Sequence, residues 1–265
     1  MISTSSSIDK ANIAKLKVFS ESIKNDLMLN LVSEFKLDNN GNDSWESNNG
    51  IMSGFSADPW RLESECIFSE CLNFNGTTSY LDITKRQDYL LPHTIELWIK
   101  PDDFGTDNYG RQLFSFMGAC TISDGYAFGL RPSGDIIIIP SDWQLDTNIS
   151  SNNWHHIIFI WKNINSTQSE QTFHIDTVKY TRIINYLVPS NITASNIRIG
   201  IFQACWPTRF FKGNMDQIRI YDDALSFSQI KQNYIAGLSS ILVSGNISKK
   251  GYNERINILS TVKNY

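Results

Sequence analysis

The sequence predicts a mainly β chain, an antiparallel β-sandwich preceded by one helix and followed by a helical hairpin. Three observations carry this. Between Leu29 and about Leu225 the apolar residues recur at every second position, whereas both ends follow a three- and four-residue period. The central segments are short, rich in Ile, Phe, Trp and Tyr, and separated by Gly, Asn, Asp and Ser. No long helical pattern interrupts them, which excludes a parallel α/β sheet.

The chain divides on this basis into 1–28, 29–225 and 226–265. In the first part Ser7 suits an N-cap and Asp9 the first helical turn. Ile13, Leu16, Phe19, Ile23 and Leu27 then form one apolar stripe, with Lys10, Lys15, Lys17, Glu21 and Lys24 off it. The stripe is expected to be buried, on the sandwich or between subunits.

Strands are expected at 31–37, 71–74, 80–83, 94–100, 112–117, 126–130, 135–139, 154–161, 172–175, 197–202 and 215–221. The segment 154–161 is apolar on both faces: His155, Ile157, Phe159 and Trp161 lie on one, Trp154, His156, Ile158 and Ile160 on the other. That pattern places it centrally, covered on both sides. After Leu225 the helical period returns with Ser226 as N-cap and Ile230, Tyr234, Leu238 and Ile241 as the apolar face. Gly245 and Asn246 break it, and a second helix carries Tyr252, Ile256 and Leu259.

Composition narrows the function. Of 265 residues, 41% are hydrophobic and 12% aromatic, enough for a sizeable core. The net charge of −4, with the basic residues scattered, gives no footprint for nucleic acid. No run approaches the roughly 18 apolar residues of a membrane span, and Met1–Ser7 lacks the apolar core of a secretory signal. The four cysteines form no CxxC and have no histidine cluster at zinc spacing; their even number suits disulfides and an oxidising compartment.

Four segments resemble the laminin-G-like members of the concanavalin A-like lectin/glucanase superfamily. They are 71–83 (CLNFNGTTSYLDI), 94–101 (TIELWIKP), 153–157 (NWHHI) and 211–226 (FKGNMDQIRIYDDALS), in family order. The resemblance implies a jelly-roll sandwich that recognises a glycan or a protein. It also implies a structural Ca²⁺, for which the matching positions are Asp216, Asn75, Gly76 and Asp43, although many relatives carry Asp where Asn75 stands. Some relatives place a C-x₄-C just before the first strand, which implies a Cys66–Cys71 disulfide; by elimination Cys120 and Cys205 would form a second. Asn12–Leu27, leading into 31–35, is similar to the solvent-side half of a type IV pilin or pseudopilin helix. That similarity implies subunit partners through this helix, with Met1–Ser6 standing in place of a removed anchor.

Sugar recognition calls for loop aromatics flanked by polar groups. Trp143 with Asp142, Trp206 with Arg209, and Tyr109 in the long 102–110 loop are the candidates. Catalysis is not expected. Glycosidases on such folds use paired carboxylates on a strand, and the nearest clusters, Glu63/Glu65 and Asp222/Asp223, fall at edges and turns. No nucleophile-elbow, zincin or phosphate-loop motif occurs. The expected function is therefore non-enzymatic recognition of a glycan or surface protein, outside the cell or on its surface. A ligandless pilin-like subunit and a carbohydrate-active enzyme are the alternatives.

Overall fold

The computed structural model describes residues 30–84, 93–117, 125–139, 143–185, 187, 196–202 and 209–261. The expected N-terminal helix, with its pilin-like stripe, lies outside them. The strands are β1 (Leu31–Phe35), β2 (Gly50–Ser53), β3 (Trp60–Arg61), β4 (Cys71–Asn75), β5 (Tyr80–Thr84), β6 (His93–Pro101), β7 (Arg111–Met117), β8 (Gly125–Leu130), β9 (Ile136–Ile139), β10 (Trp143–Leu145), β11 (His155–Asn163), β12 (Ser169–Ile175), β13 (Val178–Ile184), β14 (Asn196–Ile199) and β15 (Lys212–Tyr221). Two helices follow, α1 (Phe227–Val243) and α2 (Lys249–Thr261). Among the described residues no helix is long and apolar enough to cross a membrane.

All pairings are antiparallel and form two sheets. Sheet A runs β13-β12-β11-β6-β15-β4-β3, with β1 also on β15; sheet B runs β10-β9-β8-β7-β14-β5-β2. Alternation puts Ile95, Leu97, Ile157, Phe159, Ile218 and Ile220 of sheet A against Phe114, Phe128, Ile138, Ile197 and Ile199 of sheet B. β15 serves two partners on one side: β4 pairs with residues 212–215 and β1 with residues 218–221. The register against β6 shifts between Asp216 and Arg219, and Gln217 there takes φ 50°. This bulge turns the strand from one partner to the other.

The second apolar face of β11 is covered, as its pattern requires. Ile158 and Ile160 pack with Tyr221, Leu225 and Ile230 at the start of α1. Trp154 and Trp98 pack with Tyr234, Leu238, Ile241 and Leu259 of the helical pair. Ser226 caps α1 in a capping box, its Oγ accepting from the Gln229 N–H while the Gln229 side chain accepts from the Ser226 N–H. Gly237 permits the close approach: a Cβ there would sit 2.2 Å from a Trp98 ring carbon.

The structure contains the Cys66–Cys71 disulfide, with Cα atoms 5.5 Å apart. The short loop it closes is held from every side. Asp216 accepts from the Ile67 and Phe68 N–H groups, and Asp38 from that of Glu70. The Trp154 indole donates to the Glu65 carbonyl, and the Asn246 amide to that of Cys66. Cys120 and Cys205 lie outside the described residues.

Candidate functional site

Under α1, the outer face of sheet A holds a buried polar network centred on Glu96, which is fully buried. Its Oε1 faces His156 Nε2 at 2.8 Å; its Oε2 accepts from the Tyr221 hydroxyl (2.7 Å) and the Asn233 amide (2.9 Å). Arg219 lies 3.7 Å from Glu96 and donates to Glu34 (2.8 Å) and Gln217 (2.7 Å). Burial acts to raise the Glu96 carboxyl, but the Arg219 charge and the His156 and Tyr221 contacts together hold it below the ordinary carboxylate range. Every oxygen is engaged and the cluster is roofed by α1. It is a structural centre with no access for a ligand.

His155, on the opposite face of β11 from His156, forms a second constellation. Its Nδ1 lies 2.6 Å from Asp176, and the Ser150 Oγ lies 3.1 Å from its Nε2. The order Ser, His, Asp is that of a nucleophilic triad. The Ser150 backbone N–H, however, lies 3.2 Å from the imidazole Nε2 and is aimed at it. In a hydrolase such a donor belongs to the oxyanion hole. The constellation thus locks the 150–155 turn against the Asp176 turn.

Among the described residues, a groove of about 620 Å³ at the loop end of the sandwich can admit a ligand. Three loops and the approach to β15 build it, through Asp102–Asp107, Gly110, Arg111, Pro132, Ser151 and Arg209. The 102–110 loop holds itself in shape. The Asp103 carboxylate accepts from the Gly105 N–H (2.9 Å) and Asp107 from the Tyr109 N–H (2.7 Å). Gly110, at φ 51°, leaves no room for a side chain against the Leu130 carbonyl. Arg111 braces the floor, its guanidinium on Asp103 (2.6 Å) and on the carbonyls of Gly76 (3.0 Å) and Phe210 (3.1 Å). Lys212 also reaches Asp103 (3.0 Å). Burial works against the Asp103 charge, but these donors hold its carboxyl below the usual range.

Of the expected sugar-binding residues, the structure brings together Tyr109 and Arg209, a hundred positions apart. The Arg209 guanidinium lies over the Tyr109 ring, 4.3 Å from its centroid, and 3.4 Å from Asp107. Tyr109 was expected to stack on a sugar; Arg209 covers that ring face instead, while Tyr109 packs on the cluster of Ala127, Ile139 and Phe202. Trp143 was expected in a loop. It lies on the edge strand β10, with Arg182 over its ring at 4.6 Å and Phe173 beside it, and closes the gap between sheet edges. Asp142 and Trp206 lie outside the described residues. The groove's acidic wall, Asp102, Asp103 and Asp107, was missed. Its signal was a nine-residue loop with three Asp and two Gly, longer than an ordinary hairpin connection.

The four residues expected to share a calcium ion are not brought to one point. Asn75 pairs with Lys212, four residues along β15 from Asp216, about 13 Å at strand rise. Calcium ligands all lie within about 2.6 Å of the ion. The Asn75 Oδ1 accepts from the N–H groups of Thr77 (2.9 Å), Thr78 (2.9 Å) and Ser79 (3.1 Å), fixing the β4–β5 turn in which Gly76 takes φ 77°. Asp43 accepts from the N–H groups of Glu34 (2.9 Å) and Trp45 (3.0 Å). Asp216 is fully buried on the disulfide loop, and burial pushes its carboxyl well above the ordinary value. Among the described residues there is no group of three or more His, Cys, Asp or Glu that could hold a metal.

No curated protein matches the chain in sequence. Among solved structures, domain 4 of AbnA, an extracellular arabinanase of Geobacillus stearothermophilus, in complex with arabinotriose, is similar at 20% identity and TM-score 0.57, over 77% of this chain and 98% of that one. The binding domain of Paraclostridial Mosquitocidal Protein 1 is similar at 20% identity and TM-score 0.58, over 80% and 53%. The botulinum neurotoxin serotype D ligand binding domain, in complex with N-acetylneuraminic acid, is similar at 14% identity and TM-score 0.56, over 82% and 53%. The chain thus spans about half of each of these toxin domains, and likenesses this distant establish the fold. A family model described as the concanavalin A-like lectin/glucanases superfamily matches residues 75–231, more than half of the chain. The chain belongs to the concanavalin A-like lectin/glucanase superfamily.

Proposed function

We propose that this protein is a non-catalytic glycan-binding module whose site is the groove walled by the 102–110 loop. The observation that carries the reading is the groove itself: about 620 Å³, lined by carboxylates, a partly buried Phe104 and two braced arginines. That size suits a small ligand, and the polar lining suits a hydroxyl-rich one. The sandwich contributes rigidity, since Arg111 ties the loop to β4–β5 and to the approach to β15. The domain of AbnA with a related fold was solved with arabinotriose, which supports a saccharide as ligand. The titratable clusters away from the groove are spent on structure, which supports binding without turnover. A location outside the cell or on its surface is supported by the Cys66–Cys71 disulfide, a bond that persists in oxidising compartments.

A glycan array followed by calorimetry on the Asp107→Ala variant tests this. A hit whose affinity falls at least tenfold, about 1.4 kcal/mol, is the expected result. Array hits that bind Asp107→Ala as tightly as the native chain would place recognition elsewhere.

A further inference from the structure

The groove's charges are arranged in depth, and that arrangement bears on which saccharides it takes. The side chains of Asp107 and Asp103 are 54% and 40% exposed, whereas those of Arg209 and Arg111 are 7% and 18% exposed. Asp102, at the start of the loop, is exposed as well. The carboxylates face the ligand space and the guanidiniums lie behind them.

The guanidiniums are also turned away from the ligand space. Arg111 directs Nε and Nη2 at Asp103 and Nη1 at two backbone carbonyls, so its paired donor fork is turned into the protein. Arg209 is spread over the Tyr109 ring with its Nη2 near Asp107, and its Nε and Nη1 are buried from solvent. A ligand carboxylate is recognised by such a fork presented bidentately, and this groove does not present one. An exposed carboxylate offers the opposite chemistry. It accepts short, charge-assisted hydrogen bonds from hydroxyl groups and repels a like charge brought against it.

From this we infer that the groove selects neutral, hydroxyl-bearing saccharides and discriminates against carboxylated ones such as sialosides and uronides. The inference rests on the groove being the glycan site. Asp102 and Asp107 accept from sugar hydroxyls, while Arg111 and Arg209 act as positioning residues that hold the acidic wall in place.

Calorimetry with matched probes tests it: arabinotriose against trigalacturonate, and lactose against 3′-sialyllactose, on the native chain and on Asp102→Asn/Asp107→Asn. Both substituted residues are exposed, and melting curves verify that the variant is folded. At low salt the native chain is expected to bind a neutral probe at least tenfold more tightly than its carboxylated counterpart. The gap should narrow as salt rises from about 0.01 to about 1 M, where the screening length shrinks from ~30 to ~3 Å. The double variant should lose neutral affinity and bring the two probes within about threefold. A carboxylated probe that binds the native chain as tightly as the neutral one, and is lost in the variant, overturns the neutral selectivity and leaves the groove as the site. Glycan binding that the variant leaves unchanged, or no binding by any probe, overturns the groove reading and the selectivity with it.

Discussion

The outer face of sheet A and the loop-end groove are both rich in charge, yet they handle it in opposite ways. On sheet A, Glu96, Glu34, Arg219 and His156 are interlocked and roofed by α1. In the groove, Asp102 and Asp107 stand in solvent while Arg111 and Arg209 are drawn back into the wall. A buried charge must have its partners within the fold, because the interior offers no water to replace them. An exposed carboxylate loses nothing in the unbound state and keeps acceptor capacity for a ligand. The contrast separates charge that holds the fold from charge that remains available to bind.

The sharpest way to break the comparison is at Glu96. Glu96→Ala would strand Arg219, His156, Tyr221 and Asn233 and should destabilise by about 3–5 kcal/mol, measured by urea unfolding. A loss below about 1 kcal/mol would show that the network relaxes or admits water.

Acid acts on buried titratable groups next. Burial lowers the His174 imidazole to about 4 and that of His93, bonded to the Tyr126 hydroxyl, to about 3, from an ordinary 6.5. Both are neutral in the fold at pH 5 while the unfolded chain is protonated, so stability falls as pH drops below about 6.5. Each contributes a loss of about 2–3 kcal/mol by pH 4.5. The lowered carboxyls of Glu34, Glu96 and Asp176 carry the loss further, since their contribution disappears as pH falls through their folded values. Unfolding free energies measured from pH 7 to 4 check the sign; a flat profile would mean that neither histidine is held neutral.

Packing of the roof is probed by Gly237→Ala. Its new methyl would meet the Trp98 ring at 2.2 Å, and overpacking of this kind costs about 2–3 kcal/mol. The near-ultraviolet signal of Trp98 should change along with the melting temperature. The smallest effect belongs to the groove. Asp107→Asn should alter stability by no more than about 0.5 kcal/mol, because its side chain is mostly in water. A change as large as that at Glu96 would erase the distinction between the two regions.

Much of the fold was legible because periodicity is a local property. The β11 pattern, apolar on both faces, announced a central strand roofed on its far side. Ser226, Ile230, Tyr234 and Leu238 announced the helix that roofs it. β2, β3, β10 and β13 were not expected. All four lie at sheet edges, where exposure relaxes the alternation, as at Ile51, Val178 and Ile183. The candidate site was legible in part. Tyr109 and Arg209 were named separately as loop residues, but nothing local indicated that they meet, or that Arg209 would take the ring face a sugar was expected to use.

The amino-acid sequence by itself determined the sandwich, the helical pair and the C-x₄-C loop, because each depends on neighbours within one turn or one strand. Tertiary structure decided which charges are spent. Asp216 and Asp43 look like metal ligands as residue types, yet backbone N–H groups brought to them by the fold engage Asp216 Oδ2 and both oxygens of Asp43. Asp102 and Asp107 look like ordinary loop acids, yet the fold draws Arg111 and Arg209 behind that wall and leaves the carboxylates facing outward. Long-range placement sets a side chain's burial and partners, and those set whether its charge stabilises the fold or remains available to a ligand.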